Sequence, residues 1–347
     1  MDSKIYTNDA VSPCNRCQRK MTLVRNFPFG HDIPNEPQGN KITDVVVLDD
    51  DVILVADSST RVIKAFSLHG DYISSSERFD AEGMFGPDIA DENVEEFFGL
   101  MTAIDKSNFA VAVPGAKGFA ILMLTPEKMF VVRKAVRNTF HRYWGVHRYH
   151  GNRYLCSTDR LFDVMTTDLE PIGRLTSEFD FRKLSCIAVS ENGNVVVADQ
   201  EKQCIVVVGK TGYLLRQVHL GIPGLRGIAL DGDNIFYLSS ENTDLSYFSL
   251  KTGTIHVVSA KSNPEKLDNP IAIRYLGNGD VIIAEEGGNI KIYHLDNYSP
   301  AVSWFKWRDI RRFCWKSLPW RQITEVIGFQ GMMELLLLPV SNNGKCQ

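Results

Sequence analysis

Short apolar runs alternate with short polar segments along most of this chain. Residues 52–66 show the unit clearly, because two apolar runs flank a polar turn and Asp57 ends the first run. The same unit returns at residues 195–208, with Asp199 at the position of Asp57. Apolar runs of about four to eight residues bounded by turn residues are typical of buried β-strands. A two-strand unit that recurs in this way predicts a repeat fold.

Four weaker copies bring the number of units to six. They lie at residues 109–124, 153–165, 235–250 and 281–294. Each unit follows another apolar run, and these first runs lie at residues 42–48, 100–104, 143–149, 184–189, 225–230 and 270–275. Most units also precede a fourth run, as at residues 72–76, 129–133, 213–218 and 254–258. The first runs begin roughly 41 to 45 residues apart after one longer gap, and four short strands at this period predict a six-bladed β-propeller.

The sixth unit has no fourth run of its own, whereas residues 21–27 form an unpaired strand candidate near the amino terminus. We expect this strand to complete the last blade, because an uncovered sheet edge invites pairing with other chains. The expected fold is all-β: four-stranded blades over residues 21–300, closed by an N-terminal strand. A disordered leader at residues 1–20 and a short helical or irregular tail at residues 301–347 flank this domain.

The repeated motif resembles a known family. The pattern V-A-D-x-x-x-x-x-I-x-V-F, after a strand of the P-x-G-I-A-x-D kind, resembles the NHL repeat, and residues 57–66, 199–208 and 226–231 match it best. In the looser copies the motif's Asp is replaced by Pro114, Ser157, Ser239 and Glu285. The chain therefore resembles the NHL propeller at the carboxy-terminal end of tripartite-motif proteins.

In that family the propeller selects a protein or RNA target, and an amino-terminal RING and B-box supply ubiquitin-ligase chemistry. The resemblance implies a non-catalytic scaffold that binds a protein partner as the substrate-recognition part of a ubiquitin-ligase pathway. No C-x-x-C series with zinc-finger spacing precedes the repeats, so we expect ligase chemistry to come from another subunit or a longer isoform. An RNA-binding propeller acting post-transcriptionally is the alternative, and a propeller hydrolase or lyase is the second alternative.

An enzyme with this fold would hold ions or a catalytic pair around the central channel, which the first strands line. The equivalent positions are Asp44, Thr102, Gly145, Cys186, Gly227 and Ile271, with Arg226 adjacent. One carboxylate does not supply the several oxygen ligands that calcium needs, and no nucleophile stands beside a base. We therefore expect no catalysis, no metal and no cofactor.

Three further features bear on metal binding. A carboxylate at a strand end accepts hydrogen bonds from the turn that follows, so we expect Asp57 and Asp199 to be structural turn residues. Cys14 and Cys17 form a lone C-x-x-C with His31 nearby, and a zinc site needs four ligands. We favour a disordered leader there, and a zinc site is the alternative. We expect His147 and His150 to be structural imidazoles.

The connections between blades and the turns between second and third strands lie on one side of the ring, which we name the linker face. Binding residues concentrate in such loops on a rigid scaffold. Residues 78–99 form a long acidic loop with no clear element of its own, which is typical of functional or disordered loops. Its candidate binding residues are Asp88, Asp91, Glu92, Glu95 and Glu96.

A basic segment at residues 133–160 interleaves cations with Phe140, Tyr143, Trp144 and Tyr149. Cations beside aromatic rings suit single-stranded RNA. Strand alternation directs about half of these side chains into the blade interfaces. The expected partner-binding or RNA-binding residues are therefore Lys117, Arg137, Arg142, Trp144 and Arg160. We favour a protein partner, because an RNA binder is basic more widely and later blades carry Glu241, Asp244, Glu285 and Glu286.

Composition changes this picture little. The net charge of −4 and the 44% hydrophobic content are ordinary for a soluble protein. No secretory signal is visible at the amino terminus and the seven cysteines do not suggest a disulfide framework, so we expect a cytoplasmic protein.

The tail carries Trp304, Trp307, Trp315 and Trp320 among basic residues. We expect this tail to pack on the propeller, and contact with a membrane surface or partner is the alternative.

Overall fold

A computed structural model describes residues 19–29, 41–48, 51–86, 97–138, 141–177, 179–241, 243–260, 266–277 and 279–296. Within these ranges the strands form six four-stranded blades around a central axis, which confirms the predicted all-β propeller. In each blade every strand pairs antiparallel with the next, in order from the innermost first strand to the outermost fourth strand. Most strand bounds lie within two residues of those expected from the sequence.

Strand β1 (Arg19–Pro28) precedes blade one, which contains β2 (Ile42–Leu48), β3 (Val52–Asp57), β4 (Val62–Ser67) and β5 (Tyr72–Ser75). Helix α1 (Ala81–Phe85) follows. Blade two contains β6 (Met101–Ala103), β7 (Asn108–Val113), a 3-10 turn (Pro114–Ala116), β8 (Gly118–Leu124) and β9 (Phe130–Arg137). Blade three contains β10 (Gly145–Tyr149), β11 (Arg153–Ser157), β12 (Phe162–Met165) and β13 (Pro171–Leu175).

Blade four contains β14 (Leu184–Val189), β15 (Val195–Asp199), β16 (Cys204–Val208) and β17 (Leu214–His219). Blade five contains β18 (Leu225–Asp231), β19 (Asn234–Ser239), β20 (Leu245–Ser249) and β21 (Thr254–Ala260). Blade six begins with β22 (Pro270–Gly277), β23 (Asp280–Glu285) and β24 (Asn289–Leu295).

The middle strands of the blades are apolar on both faces because neighbouring blades cover both faces. Every residue of β15 and β16 is buried, and the two strands pair from Val195 with Val208 to Asp199 with Cys204. Polar turns with positive φ join the strands, as at Gly193 (φ 80°) and Gly232 (φ 54°). Glycine adopts this conformation without a Cβ clash, and this fixes the hairpins there.

Strand β1 closes the ring as the sequence predicts. It pairs antiparallel with β24, from Met21 opposite Leu295 to Pro28 opposite Asn289, and so becomes the fourth strand of blade six. Its first residues also pair in parallel with the outermost strand of blade five, where Arg19 lies opposite Val258. The strand starts at Arg19, two residues before the expected Met21. The edge of β24 is thereby covered.

The end of β1 also packs against blade one. The ring of Phe27 lies 5.4 Å from the ring of Phe66, and the ring of Phe29 lies 6.2 Å from it. The Phe29 N–H donates to the Gly288 carbonyl of blade six at 2.7 Å. A Cβ on Gly70 would lie 2.8 Å from the Phe27 ring, so the turn that faces this ring requires glycine. The amino-terminal segment therefore links blade six to blade one.

The acidic connection between blades one and two differs from the expectation that residues 78–99 carry no element. Residues Ala81–Phe85 form helix α1, and the Asp80 side chain caps it by accepting a hydrogen bond from the Gly83 N–H. Phe97 and Phe98 are buried in the core between these blades. The helix forms because capping and two buried residues, Ala81 and Met84, stabilise one turn.

Several expectations fall outside the described residues. These are the acidic candidates Asp88, Asp91, Glu92, Glu95 and Glu96, the residues Cys14, Cys17 and His31, and the tail at residues 301–347. Across the described ranges, no helix is long and apolar enough to cross a membrane.

Closure by β1 predicts a position-dependent loss of stability along this one strand. The Met21 side chain is fully buried in the core of blades five and six, so we expect Met21→Ala to lower the free energy of unfolding by about 2–5 kcal/mol. Val24 is 51% exposed, and Val24→Ala as the matched control is expected to change it by less than about 0.5 kcal/mol. Urea unfolding of both variants measures the difference.

A truncation tests the same contact more severely. Removal of residues 1–28 is expected to leave blade six with three strands and to lower the melting temperature sharply. An unchanged melting temperature for the truncated protein, together with equal effects of the two alanine substitutions, would contradict closure by β1.

Candidate functional site

The mouth of the central channel is shaped by a bulge that recurs near the start of the first strand. The register shifts by one residue at Thr43, Ser185, Arg226 and Ile271, in blades one, four, five and six. The Ser185 hydroxyl donates to the Ala198 carbonyl at 3.3 Å. A bulge redirects the side chain of the extra residue. In blades five and six that residue lines the channel cavity.

A buried ion pair spans the channel. The Asp44 carboxylate is fully buried, and its Oδ2 lies 2.6 Å from a guanidinium nitrogen of Arg274 and accepts the Met101 N–H at 2.7 Å. Arg274 also donates to the Met101 carbonyl at 3.2 Å. These contacts join blades six, one and two. Burial raises the pKa of the Asp44 carboxyl, although Arg274 and the backbone donors act in the opposite direction.

The cavity beside this ion pair is small. It has about 10 Å³ open to the centre of a water molecule, and about that volume is needed to hold one water. Its lining residues are Asp44, Leu100, Cys186, Ile187, Arg226, Gly227, Ile228, Ile271, Ala272 and Arg274. This cavity therefore has no room for a substrate-sized molecule.

The sequence located five of these ten lining residues: Asp44, Cys186, Arg226, Gly227 and Ile271. The expected Thr102 and Gly145 do not line the cavity, and Leu100, which forms a bridge to Gly145, lies there instead. Arg274 was not predicted. It lies two residues after Ala272 on the same face of β22, but the register shift at the expected position Ile271 hides this alternation in the sequence.

Other reactive side chains near the channel are held in unreactive forms. Burial, with a smaller contribution from Arg274, lowers the pKa of His147 to about 3, and its Nε2 has no hydrogen-bond partner within the described residues. Burial raises the pKa of the Cys186 thiol to about 12. In the part of the chain that the structure describes, no three His, Cys, Asp or Glu side chains are placed to hold a metal ion.

The aspartates at the strand ends organise turns and incoming connections. Asp57 Oδ1 accepts the Ser59 N–H at 2.8 Å, and its Oδ2 accepts the Thr60 hydroxyl at 2.9 Å. Asp199 accepts the Lys202 N–H at 3.0 Å and also the Arg182 N–H at 2.7 Å. Asp199 therefore holds both its own turn and the connection from blade three.

Glu285 occupies the corresponding position in blade six. Its Oε1 accepts the N–H of Asp268, from the incoming connection, at 2.8 Å. The same oxygen lies 2.7 Å from the buried ammonium group of Lys291. Glu285, which replaces the motif's Asp, therefore accepts a hydrogen bond from the incoming connection as Asp199 does.

The second candidate surface is a group of cations on the linker face of blades two and three, which we name the cation cluster: Lys117, Arg137 and Arg142. Gly118 pairs with Arg137 at the end of β9, and the Asn138 N–H donates to the Lys117 carbonyl at 2.7 Å. Arg137 and Arg142 are exposed and Lys117 is half-buried. Arg160 is exposed on the corresponding turn of blade three. The topology therefore brings the four cationic candidates to one side of the ring.

The expectation that about half of the side chains in this segment point into blade interfaces applies to the rings and not to the cations. The exposed side chains include Arg133, Lys134, Arg137, Arg142, Arg148, Arg153 and Arg160. A bulge in the outermost strand β9 places Lys134 opposite Ile121 and Val132 opposite Leu122, so Arg133 has no partner residue. The alternation of inward and outward side chains along β9 is interrupted there, and both Arg133 and Lys134 face solvent.

The aromatic residues of the same segment are mostly in the core. Tyr143 is fully buried, Tyr149 is 4% exposed, and Trp144 is half-buried with its ring N–H enclosed. Phe140 lies outside the described residues. Trp144 contributes backbone contacts, because its carbonyl accepts the Leu100 N–H at 2.8 Å. The described rings of this segment therefore do not form an exposed stacking platform.

A polar network fixes the loop beside the cation cluster. Asn138 donates to the Tyr143 hydroxyl at 2.6 Å, and this hydroxyl donates to the Asp163 carboxylate at 3.1 Å. Arg174 donates to the same carboxylate at 2.9 Å and lies 2.9 Å from the His141 ring. Burial raises the pKa of the Tyr143 phenol. The network connects Asn138, at the end of blade two, to Tyr143, Asp163 and Arg174 of blade three.

Comparison with known proteins supports the fold alone. No family model matches this sequence, and no curated protein matches it. The chain is similar in structure to a structural genomics protein of unknown function from Bacteroides thetaiotaomicron, with a TM-score of 0.60 and 12% identity over 80% of this chain and 76% of that one.

Two further solved structures are similar. The WD40 β-propeller domain of Doa1 has a TM-score of 0.53 at 14% identity, over 79% of this chain and 96% of that one. Streptogramin B lyase has a TM-score of 0.53 at 10% identity, over 78% and 98%. Propellers carry many unrelated functions, so these similarities do not identify a function.

The buried imidazole predicts a specific pH dependence. The unfolded chain protonates His147 near pH 6.5, whereas folding lowers the pKa of this residue to about 3, so stability is lost as pH falls between these values. We expect the free energy of unfolding to fall between pH 7.5 and 5 by about 2 kcal/mol less in His147→Gln than in the wild type. The matched control is His150→Gln, an exposed ring that stacks 4.4 Å from Tyr149.

The measurement is urea unfolding of the wild type and both variants across this pH range. The slopes of unfolding free energy against pH are compared, because His147→Gln also changes packing and so shifts the absolute values. Equal slopes for the wild type and His147→Gln would show that the imidazole does not titrate in this way.

Proposed function

We propose that this protein is a non-catalytic recognition scaffold that binds a protein partner through the linker face of blades two and three. The observation that carries the proposal is the cation cluster, in which Arg137 and Arg142 are exposed and Lys117 is half-buried, on the same side of the ring as exposed Arg160. Fixed cations on a rigid scaffold attract a complementary acidic surface and set its orientation. The partner is therefore an acidic segment of another protein.

The NHL resemblance of residues 57–66 and 199–208 supports recognition as the role, and the substrate-recognition part of a ubiquitin-ligase pathway is the corresponding cellular function. The small channel cavity argues in the same direction. A hydrolase or lyase that uses the channel needs space for its substrate, and the cavity lined by Asp44 and Arg274 holds no more than about one water molecule. The free cysteines Cys156, Cys186 and Cys204 fit the reducing cytoplasm that we propose as its location.

RNA is the second candidate, because exposed arginines also bind phosphates. The burial of Tyr143 and Tyr149 argues against it, since single-stranded RNA recognition stacks bases on exposed rings. A protein partner requires the cations without the rings, and the linker face has this composition among its described residues.

Selection experiments on the full chain distinguish the two ligands. One arm offers a randomised single-stranded RNA pool across a salt series, and the other offers a displayed library of random peptides. We expect acidic peptides to be selected and the double variant Arg137→Ala/Arg142→Ala to weaken their binding about tenfold, because two charge contacts are lost. The matched control is Arg153→Ala/Lys210→Ala, which removes two exposed cations near the opposite side of the ring.

RNA binding that falls steeply with salt, with a slope that the cluster variant flattens by about one unit per lost phosphate contact, would replace the protein ligand by RNA. Equal weakening by both double variants would indicate nonspecific attraction and would contradict recognition at this face.

A further inference from the structure

A groove opens on blade three where the turn between β11 and β12 meets the connection to blade four. Its lining includes Arg160, Leu161, Arg174, Phe179, Asp180 and Phe181. Its volume is about 390 Å³, within the range of about 300–1,000 Å³ typical of ligand sites. The groove is therefore much larger than the channel cavity.

The walls of the groove are rigid. The Thr158 hydroxyl accepts the Leu161 N–H at 3.0 Å, and the Thr158 N–H donates to the Leu161 carbonyl at 2.9 Å, so the turn that presents Leu161 is closed on itself. On the other side, Phe181 is buried and packs edge-on against Phe162 at 5.4 Å and against Phe179 at 4.9 Å. A preformed site loses little conformational freedom when it binds a ligand.

The centre of the groove is apolar. Leu161, which is 40% exposed, and the half-buried ring of Phe179 both line the groove. The Lys202 ammonium group lies 4.2 Å from the centre of that ring and covers one of its faces. An apolar centre surrounded by charged groups is the arrangement of a protein interface.

The charged side chains around the groove determine which ligand charge it attracts. Arg174 is paired with Asp163 at 2.9 Å, and Asp180 lies 3.4 Å from Arg182 and 3.9 Å from Lys202. Arg160 has no ion-pair partner among the described residues. Asp163 and Asp180 therefore have cationic partners of their own, whereas the exposed Arg160 guanidinium is available to an incoming anion.

Hydrogen bonds connect the lining of the groove to the cation cluster. Arg174, which lines the groove, lies 2.9 Å from the His141 ring, and the His141 N–H donates to the Asn138 side chain at 3.2 Å. Asn138 in turn donates to the Lys117 carbonyl. The groove and the cation cluster therefore lie on the same side of the ring, on neighbouring blades.

We propose that the groove is the specificity pocket of this protein: it binds one apolar side chain of an extended acidic peptide segment of the partner, whose carboxylates contact Arg160 and the cation cluster. This inference rests on the proposed function and adds the chemistry of the ligand. Apolar contact supplies selectivity, and the cations fix the direction of the peptide.

A pair of synthetic peptides tests the pocket on the full chain. The first has one leucine within a run of glutamates, and the second has alanine in place of the leucine. Fluorescence anisotropy is expected to show about tenfold weaker binding of the alanine peptide, because a buried leucine side chain is worth about that factor. With Leu161→Ser we expect the two peptides to bind equally weakly. With Arg160→Ala we expect both to weaken while the preference for leucine persists.

The matched control is Ile172→Ser, which removes a 49% exposed apolar side chain from the outermost strand of the same blade, away from the groove lining. It is expected to leave both affinities unchanged. Far-ultraviolet circular dichroism and melting temperature show whether the variants are folded, and both positions are exposed enough for folding to tolerate serine.

The outcomes separate this inference from the proposed function. If both peptides bind equally to the wild type and their binding depends on Arg137 and Arg142, the proposed recognition function is retained and the proposed pocket is overturned. If Ile172→Ser weakens binding as much as Leu161→Ser does, the pocket is likewise overturned. If neither peptide binds and the RNA pool does, the proposed protein ligand fails as well.

Discussion

The pairing of β1 with β24 is the contact on which this fold depends. Each blade of a propeller packs only on its neighbours, so an incomplete last blade weakens the junction between the two ends of the ring. Here a strand from one end of the repeat array lies beside a strand from the other, and Met21 is buried between blades five and six. The same segment continues to Phe29, whose ring packs near Phe66 of blade one. One strand therefore stabilises three adjacent blades.

The junction has a second contact near the axis. The Asp44–Arg274 pair joins blades one and six at the inner radius, while Phe27 and Phe66 join them at the outer radius. Asp44 is buried and Arg274 is one-quarter exposed, and removing one partner of such a pair leaves an uncompensated charge. The pair also lines the small channel cavity. We propose that a ligand binds instead to the connections on the linker face.

The strands could be predicted from the sequence because they are buried on both faces and read as continuous apolar runs. The same property concealed the bulges: a one-residue register shift at Arg226 or Arg133 does not interrupt a run of residues, although it changes which side chains face the channel or solvent. The burial of the aromatic rings was not predicted for a related reason. Tyr143 leads into a first strand and is fully buried, and Trp144 beside it is half-buried, whereas composition does not separate a core ring from an exposed one. The groove was not predicted, because Leu161 and Phe179 belong to different connections that meet only in the folded chain.

The linker face also shows why the net charge of −4 is a poor guide to the ligand. Attraction of a ligand depends on the local field, and that field depends on which charges are paired nearby. Asp163 is paired with Arg174, and Asp180 lies near Arg182 and Lys202. Arg160 has no ion-pair partner among the described residues, and Arg137 and Arg142 of the cation cluster are exposed. An acidic chain therefore presents a positive sector beside an apolar groove, and this combination favours an acidic peptide with an apolar anchor over a ligand recognised by charge alone.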